Sequence, residues 1–165
     1  MKFIVLILLL VSGYLLFSGG DEERKGFESP DAIGKHVVAA LNAKDRDAVL
    51  DVYVPKAMLE EALDCPGTNP WLTDSTEDIQ EVNAMLRFGF RRSSRAVEYL
   101  KHDVTRRDNF GPGDDVQGCT AKTNITRYLT RMHGRHYFYG TKMESTVGAN
   151  LIKIGLDGDW WVLKR

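Results

Sequence analysis

Near residue 102 the hydrophobic period of this chain changes from that of a helix to that of a strand, and no other feature limits its fold so strongly. Upstream, apolar residues recur every three or four positions, whereas downstream a Thr-rich, aromatic-rich stretch alternates with period two. Helices followed by strands, without alternation between them, imply an α+β fold in which N-terminal helices pack on a C-terminal antiparallel sheet.

Breakers divide the helical part. Ser29-Pro30-Asp31 is a helix start, with Ser29 as N-cap, Pro30 in the first turn and an early acid that suits the helix dipole. Ile33, Val37, Ala40 and Leu41 mark its apolar face. Asn42 to Lys44 interrupts the pattern, Asp45 caps a second short helix carrying Val49, Leu50 and Tyr53, and Pro55 ends it. A third amphipathic piece holds Met58, Leu59, Ala62 and Leu63 ahead of Cys65. Pro66 to Thr73, with Gly67, Pro70 and Trp71, reads as a loop. Asp74 and Glu77 then form a capping-box-like pair. From there Ile79, Val82, Leu86, Phe90, Val97 and Leu100 keep helical spacing to about His102, with a bend allowed at Gly89, Ser93 and Ser94.

In the strand part, Cys119, Ala121, Thr123 and Ile125 line one side of a run that continues through Leu129, and His133-Gly134-Arg135-His136 is its expected turn. Tyr137 to Leu156 supplies a second strand region, interrupted near Gly148. The sharpest local signal is Asp157-Gly158, a dipeptide favoured in two-residue hairpin turns because both positions take positive φ. Such a turn pairs Leu156 with Asp159, Ile154 with Trp161 and Ile152 with Leu163. It puts Ile152, Ile154, Trp161 and Leu163 on a core face. Trp160 and Val162 then lie on the other face beside Leu151, which is either covered or a surface for a partner.

Ahead of the domain, Met1-Lys2 and the uncharged apolar run Phe3 to Phe17 lead to Ser18, Gly19, Gly20 and the acids Asp21, Glu22 and Glu23. Positive charge before the run and negative charge after it place the body of the chain outside the cytoplasm. Residues 1–20 read as a signal peptide or signal anchor, 21–28 as an acidic linker and 29–165 as a single domain. Ser18 and Gly20 suit a cleavage site, yet Phe3 to Gly20 as a helix would rise roughly 27 Å, enough for an anchor. The expected location is periplasmic or secreted, tethered to the membrane through residues 3–20 if cleavage fails. Cys65 and Cys119 are the whole cysteine inventory, and in an exported domain they suggest one disulfide, the alternative being two buried thiols.

With 43% hydrophobic residues, 27% charged residues and a net charge of −1, the composition supports one ordinary core. Nucleic acid is a poor fit to an exported chain of that charge. The balance is uneven: residues 21–78 carry 14 acidic and 6 basic side chains and residues 79–136 carry 6 and 11, so the two halves attract each other.

The chain order, with Ala40-Leu41-Asn42-Ala43-Lys44-Asp45-Arg46-Asp47-Ala48-Val49-Leu50 leading to Tyr53 and a terminal Ile154-Gly-Leu-Asp-Gly-Asp-Trp-Trp-Val162, resembles the nuclear transport factor 2-like superfamily. The resemblance covers roughly residues 29–165. It implies a cone-shaped, cystatin-like α+β fold in which a curved antiparallel sheet wraps the helices, and its bacterial members include small exported proteins of unassigned function. Members usually place a strand between the early helices and the third helix, where this chain reads as a loop. Enzymes of the superfamily use an acid, a tyrosine or a histidine facing the cavity, and no position here matches their motifs.

Three constellations carry chemistry. His133 and His136 could share a metal with a nearby carboxylate, but spacing supplies no third ligand and a solvated turn explains them as well, so no metal or cofactor is expected. Arg87, Arg91 and Arg95 recur every four residues and form a basic stripe on a continuous helix, with Arg92 beside it. The stripe suits an anionic ligand, an acidic partner or lipid head groups, or is a solvated face. Tyr53, Trp71, Tyr137, Tyr139, Trp160 and Trp161 could line a cavity or fill a core. Asn124-Ile125-Thr126 is a glycosylation sequon, meaningful only in a eukaryotic secretory pathway. The functional expectation is a non-catalytic exported module binding a small ligand or a partner protein. The alternatives are an isomerase- or hydrolase-like enzyme with a cavity acid or base, and an envelope-associated structural accessory protein.

Overall fold

The computed structural model describes residues 24–67 and 96–163. The apolar leader, Trp71, the helix expected from residue 74 as far as 95, and the stripe Arg87, Arg91 and Arg95 lie outside them.

Local chemistry sets the three helices where the sequence expects them. In α1 (Pro30–Ala43), the Ser29 hydroxyl accepts from the Ala32 N–H at 3.2 Å, which satisfies one of the free donors of the first turn. The helix closes at Lys44, whose φ of 59° turns the chain left-handed. The Lys44 N–H then donates to Leu41 and the Asp45 N–H to Ala40, the paired bonds of a Schellman ending. Asp45 immediately caps α2 (Arg46–Leu50) by accepting from the Ala48 N–H at 3.0 Å. After Pro55 comes α3 (Lys56–Ala62), which passes directly into a short strand, β1 (Leu63–Asp64). A strand therefore does stand between the early helices and Cys65, where the sequence reads as a helical piece running into a loop.

Two antiparallel sheets follow. The small one has the order β1-β4-β3, with β3 at Asp115–Val116 and β4 at Cys119–Ala121. The large one has the order β2-β5-β6-β7, with β2 at Glu98–Phe110, β5 at Ile125–Phe138, β6 at Thr141–Ile154 and β7 at Trp160–Leu163. Four sequence expectations are corrected here. Glu98 to His102 belongs to β2 and not to a helix: Val97 and Leu100 fit helical spacing, but the aromatic Tyr99 and its neighbours pair with β5 instead. His133 to His136 is no turn. It lies inside β5, and the reversal comes at Tyr139-Gly140, both at positive φ, between the last pair Phe138 and Thr141. Gly148 does not interrupt β6, because it pairs in register with Arg131.

The C-terminal hairpin also differs from expectation. Ile152 pairs with Trp161 and Asn150 with Leu163, two residues away from the register that an Asp157-Gly158 turn would impose. Gly155 takes a φ of 82° and its N–H donates to Asn124 at 2.7 Å, so β6 leaves its partner early and a longer loop returns to Trp160. A shift of two keeps every side chain on its expected face. Ile152, Trp161 and Leu163 are buried together, with Ile154 packed against them, under α3 and the small sheet. On the opposite face Leu151 and Trp160 are buried with Ile33, Val37, Ala40 and Leu41 of α1, so the second face is covered by the first helix.

Cys65 and Cys119 form a disulfide that ties the segment after β1 to β4 beside the first of these clusters. The end of the acidic linker is built into the sheet: Phe27 exchanges backbone hydrogen bonds of 3.0 and 2.8 Å with Trp160. Val52 and Val54 bond in the same way to Val162, which closes the outer side of β7. Among the described residues no helix is long and apolar enough to cross a membrane.

Candidate binding pocket

A pocket of about 60 Å³ opens between α1, the segment around α2 and the sheet face that carries Leu151 and Val162. Ile33 and Val37 of α1, Val49 of α2 and Met132, Ala149 and Leu151 of the sheet make most of its wall. Sheet periodicity puts Met132, Ala149 and Leu151 on one face, and the i, i+4 spacing of Ile33 and Val37 turns both toward it. Tyr53 and His102 bring polar atoms to the lining.

His102 reaches the pocket because of a β-bulge. In a regular strand Tyr99 and His102 would point to opposite faces, but the register of β2 slips between Tyr99 and Lys101, and the extra residue puts both on the α1 side. Gly34 of α1 makes room for the tyrosine, since a Cβ there would lie 2.8 Å from Cδ2 of its ring. The Tyr99 hydroxyl donates to the Asp31 carboxylate in the first turn of α1. Its one proton is thereby committed, so its oxygen accepts from His102 Nδ1 at 3.2 Å. The chain Asp31–Tyr99–His102 fixes the imidazole tautomer.

Burial pushes the His102 imidazole below its ordinary range, an effect the Asp31 charge opposes without reversing. Burial, followed by the hydrogen bond to Asp31 and that residue's charge, raises the Tyr99 phenol well above its usual range. Both side chains are neutral at pH 7. The polar end of the pocket therefore offers hydrogen bonds without net charge.

The opposite face of the long strands is ionic. Arg135 reaches Glu98 at 3.1 Å and Glu144 at 3.3 Å, so one guanidinium crosses three strands. Asp103 lies 2.9 Å from His133 Nε2 and 2.8 Å from Lys101 Nζ. Arg127, only 8% exposed, donates to Asp108 at 2.6 Å, and the hydrogen bonds from Arg127 and then Arg106 hold that carboxyl below the usual range.

Of the aromatic residues expected to line a cavity, Tyr53 does so. Trp161 is buried in the core on the other side of the sheet, Trp160 belongs to the core beneath α1, and Tyr139 is exposed at the β5–β6 turn. Tyr137 sits near the far end of β5, away from the pocket wall, and Trp71 lies outside the described residues. His133 and His136 cannot share a metal, because three residues along a regular strand turn them to opposite faces. No group of three metal-ligating side chains occurs among the described residues. Asp31, Tyr99 and His102 were missed as a group: the first reads as a helix-start acid and the other two take helical spacing, and only the bulge brings them together. Comparison of the chain with protein-family models, with curated proteins and with solved structures finds no match.

Proposed function

We propose that this chain is an exported, non-catalytic binding module of the nuclear transport factor 2-like kind, whose pocket seats one apolar group presented by its partner. The observation that carries this reading is the character of the pocket, whose lining is mostly aliphatic and includes His102, held neutral by burial and bonded behind the lining to Tyr99. Its volume of about 60 Å³ falls well below the roughly 300–1,000 Å³ of sites that enclose a drug-sized molecule. One branched or aromatic side chain, or the end of a small ligand, fits that space better than a whole substrate does. His102 Nδ1 is engaged by the Tyr99 hydroxyl, which supports a structural and ligand-orienting role over proton transfer.

The order of elements, with helices packed on one face of an antiparallel sheet, supports the superfamily reading. The Cys65–Cys119 bridge is compatible with an oxidising compartment and supports export by the apolar leader. Benzene serves as the probe for the pocket, followed through the methyl resonances of Met132 and Leu151. Saturable shifts at both are expected, and Ala149→Met, which fills the space, should abolish them while leaving the fold intact. No saturable shift in the native protein, or equal shifts in the filled variant, would refute the pocket as a binding site.

A further inference from the structure

We propose that the edge of β6 from Thr141 to Val147, unpaired on its outer side among the described residues, is a homodimerisation site, at which two copies of the chain pair their β6 strands antiparallel about a two-fold axis through Met143. From Thr141 to Val147 the strand is exposed on both faces. Among the described residues this stretch pairs on one side only, with β5, because β7 meets β6 no earlier than Asn150. The other edges are closed or broken. β7 is bonded on its outer side to Phe27, Val52 and Val54, and β2 carries two register shifts that disrupt its ladder. β6 has no such irregularity from Thr141 to Val147, and among the described residues that stretch of its edge is a straight template for another strand.

The backbone geometry says which groups face outward. The Gly155 N–H donates to Asn124 of the β5 side, so odd-numbered residues of β6 turn their backbone toward β5 and even-numbered ones turn away. β7 agrees with this: Trp160 and Val162 bond outward to Phe27 and Val54, leaving Trp161 and Leu163 to face Ile152 and Asn150. On the free stretch, Lys142, Glu144 and Thr146 therefore present both N–H and C=O to a neighbour.

Side-chain charge then selects the register. A two-fold axis at Lys142 or Glu144 would set like charges opposite each other. An axis at Met143 sets Lys142 opposite Glu144 of the second copy, twice by symmetry, and both pairs attract. On the other face Met143, which is 45% exposed, meets its own counterpart. The contact limits itself, because the turn at Tyr139-Gly140 ends each strand and the self-facing stretch runs only from Gly140 to Thr146. Isologous pairing also uses the edge up in a closed dimer and so prevents open-ended growth.

The test uses the full chain, recovered with its disulfide intact. Met143→Cys should form a covalent dimer under mild oxidation, as residues opposite each other on the axis, whereas Ser145→Cys should not. In sedimentation, K142E or E144K should each weaken the dimer about tenfold, and the double swap K142E/E144K should restore it. A chain that is monomeric up to its solubility limit would overturn the proposal. So would cross-linking through Ser145→Cys in place of Met143→Cys, or single and double swaps of equal effect.

Discussion

Tyr99 and His102 are ordinary residues by composition, and their chemistry arises from one inserted position in β2 that turns both toward α1. The consequence is measurable through His102. Burial lowers its folded pKa, so an unfolded chain takes up a proton near pH 6.5 that the native state still refuses. Stability contributed by the neutral ring is complete above that pH and is lost as pH falls from about 6.5 to the depressed native value. Urea unfolding between about pH 8 and pH 5 should show this decline, and His102→Gln should flatten it over that interval. An unchanged slope would mean the imidazole is solvated in the native protein. None of this was legible beforehand: the spacing of 99 and 102 fits a helix as well as a bulged strand, and nothing in Asp31 distinguishes an acid that accepts from a tyrosine 68 positions away from one that suits a helix dipole.

At the scale of elements, legibility follows how local the cause is. Ser29 and Asp45 cap their helices with their own side chains, within three residues, and both starts could be read directly. The β5–β6 reversal could not, because its turn places Tyr139 at a φ of 47°, where Gly or Asn is the usual signal, and the nearby His133-Gly134 offered a false one. Similarly, Asp157-Gly158 marked the last hairpin but not its register, since the loop opens at Gly155 for a bond to Asn124, just ahead of β5. The helix and strand joined by Asn42 show the same limit. Its amide takes the place of a strand partner, donating to the Val97 carbonyl and accepting from the Val97 N–H, both at 2.8 Å, across a separation of 55 residues. Where the cause is local, its cost can be tested locally. Lys44 closes α1 in a left-handed conformation that disfavours a Cβ, so Lys44→Gly should stabilise the domain by about 0.5–1 kcal/mol, measured as a higher urea midpoint at unchanged m-value. A lower midpoint would show that the lysine side chain contributes more than its backbone strain costs.

Across the whole molecule, one sheet carries two cores, and the disulfide serves only one of them. Leu59 and Leu63 from the α3–β1 segment pack with Ile125, Ile152 and Trp161 on one face, whereas α1 and α2 cover the other through Ile33, Val37 and Val49. The α3–β1 segment adds only a two-residue strand to the small sheet, so its place depends on apolar packing and on the Cys65–Cys119 bridge. That bridge spans 54 residues of sequence, and closing so long a loop reduces the entropy of the unfolded chain by an amount worth about 4 kcal/mol at 25 °C. A domain of this size has roughly 5–15 kcal/mol in all, so the bridge accounts for a large share. Cys65→Ala with Cys119→Ala should therefore lower the unfolding free energy by about 4 kcal/mol or slightly more, because Cys119 is 1% exposed and its sulfur also fills space in the core. Reduction of the native protein should reproduce most of the loss without the missing sulfur, which separates the loop term from the cavity term. If the reduced protein kept its urea midpoint, packing alone would hold α3 and β1 in place, and the domain would fold as well in a reducing compartment as in an oxidising one.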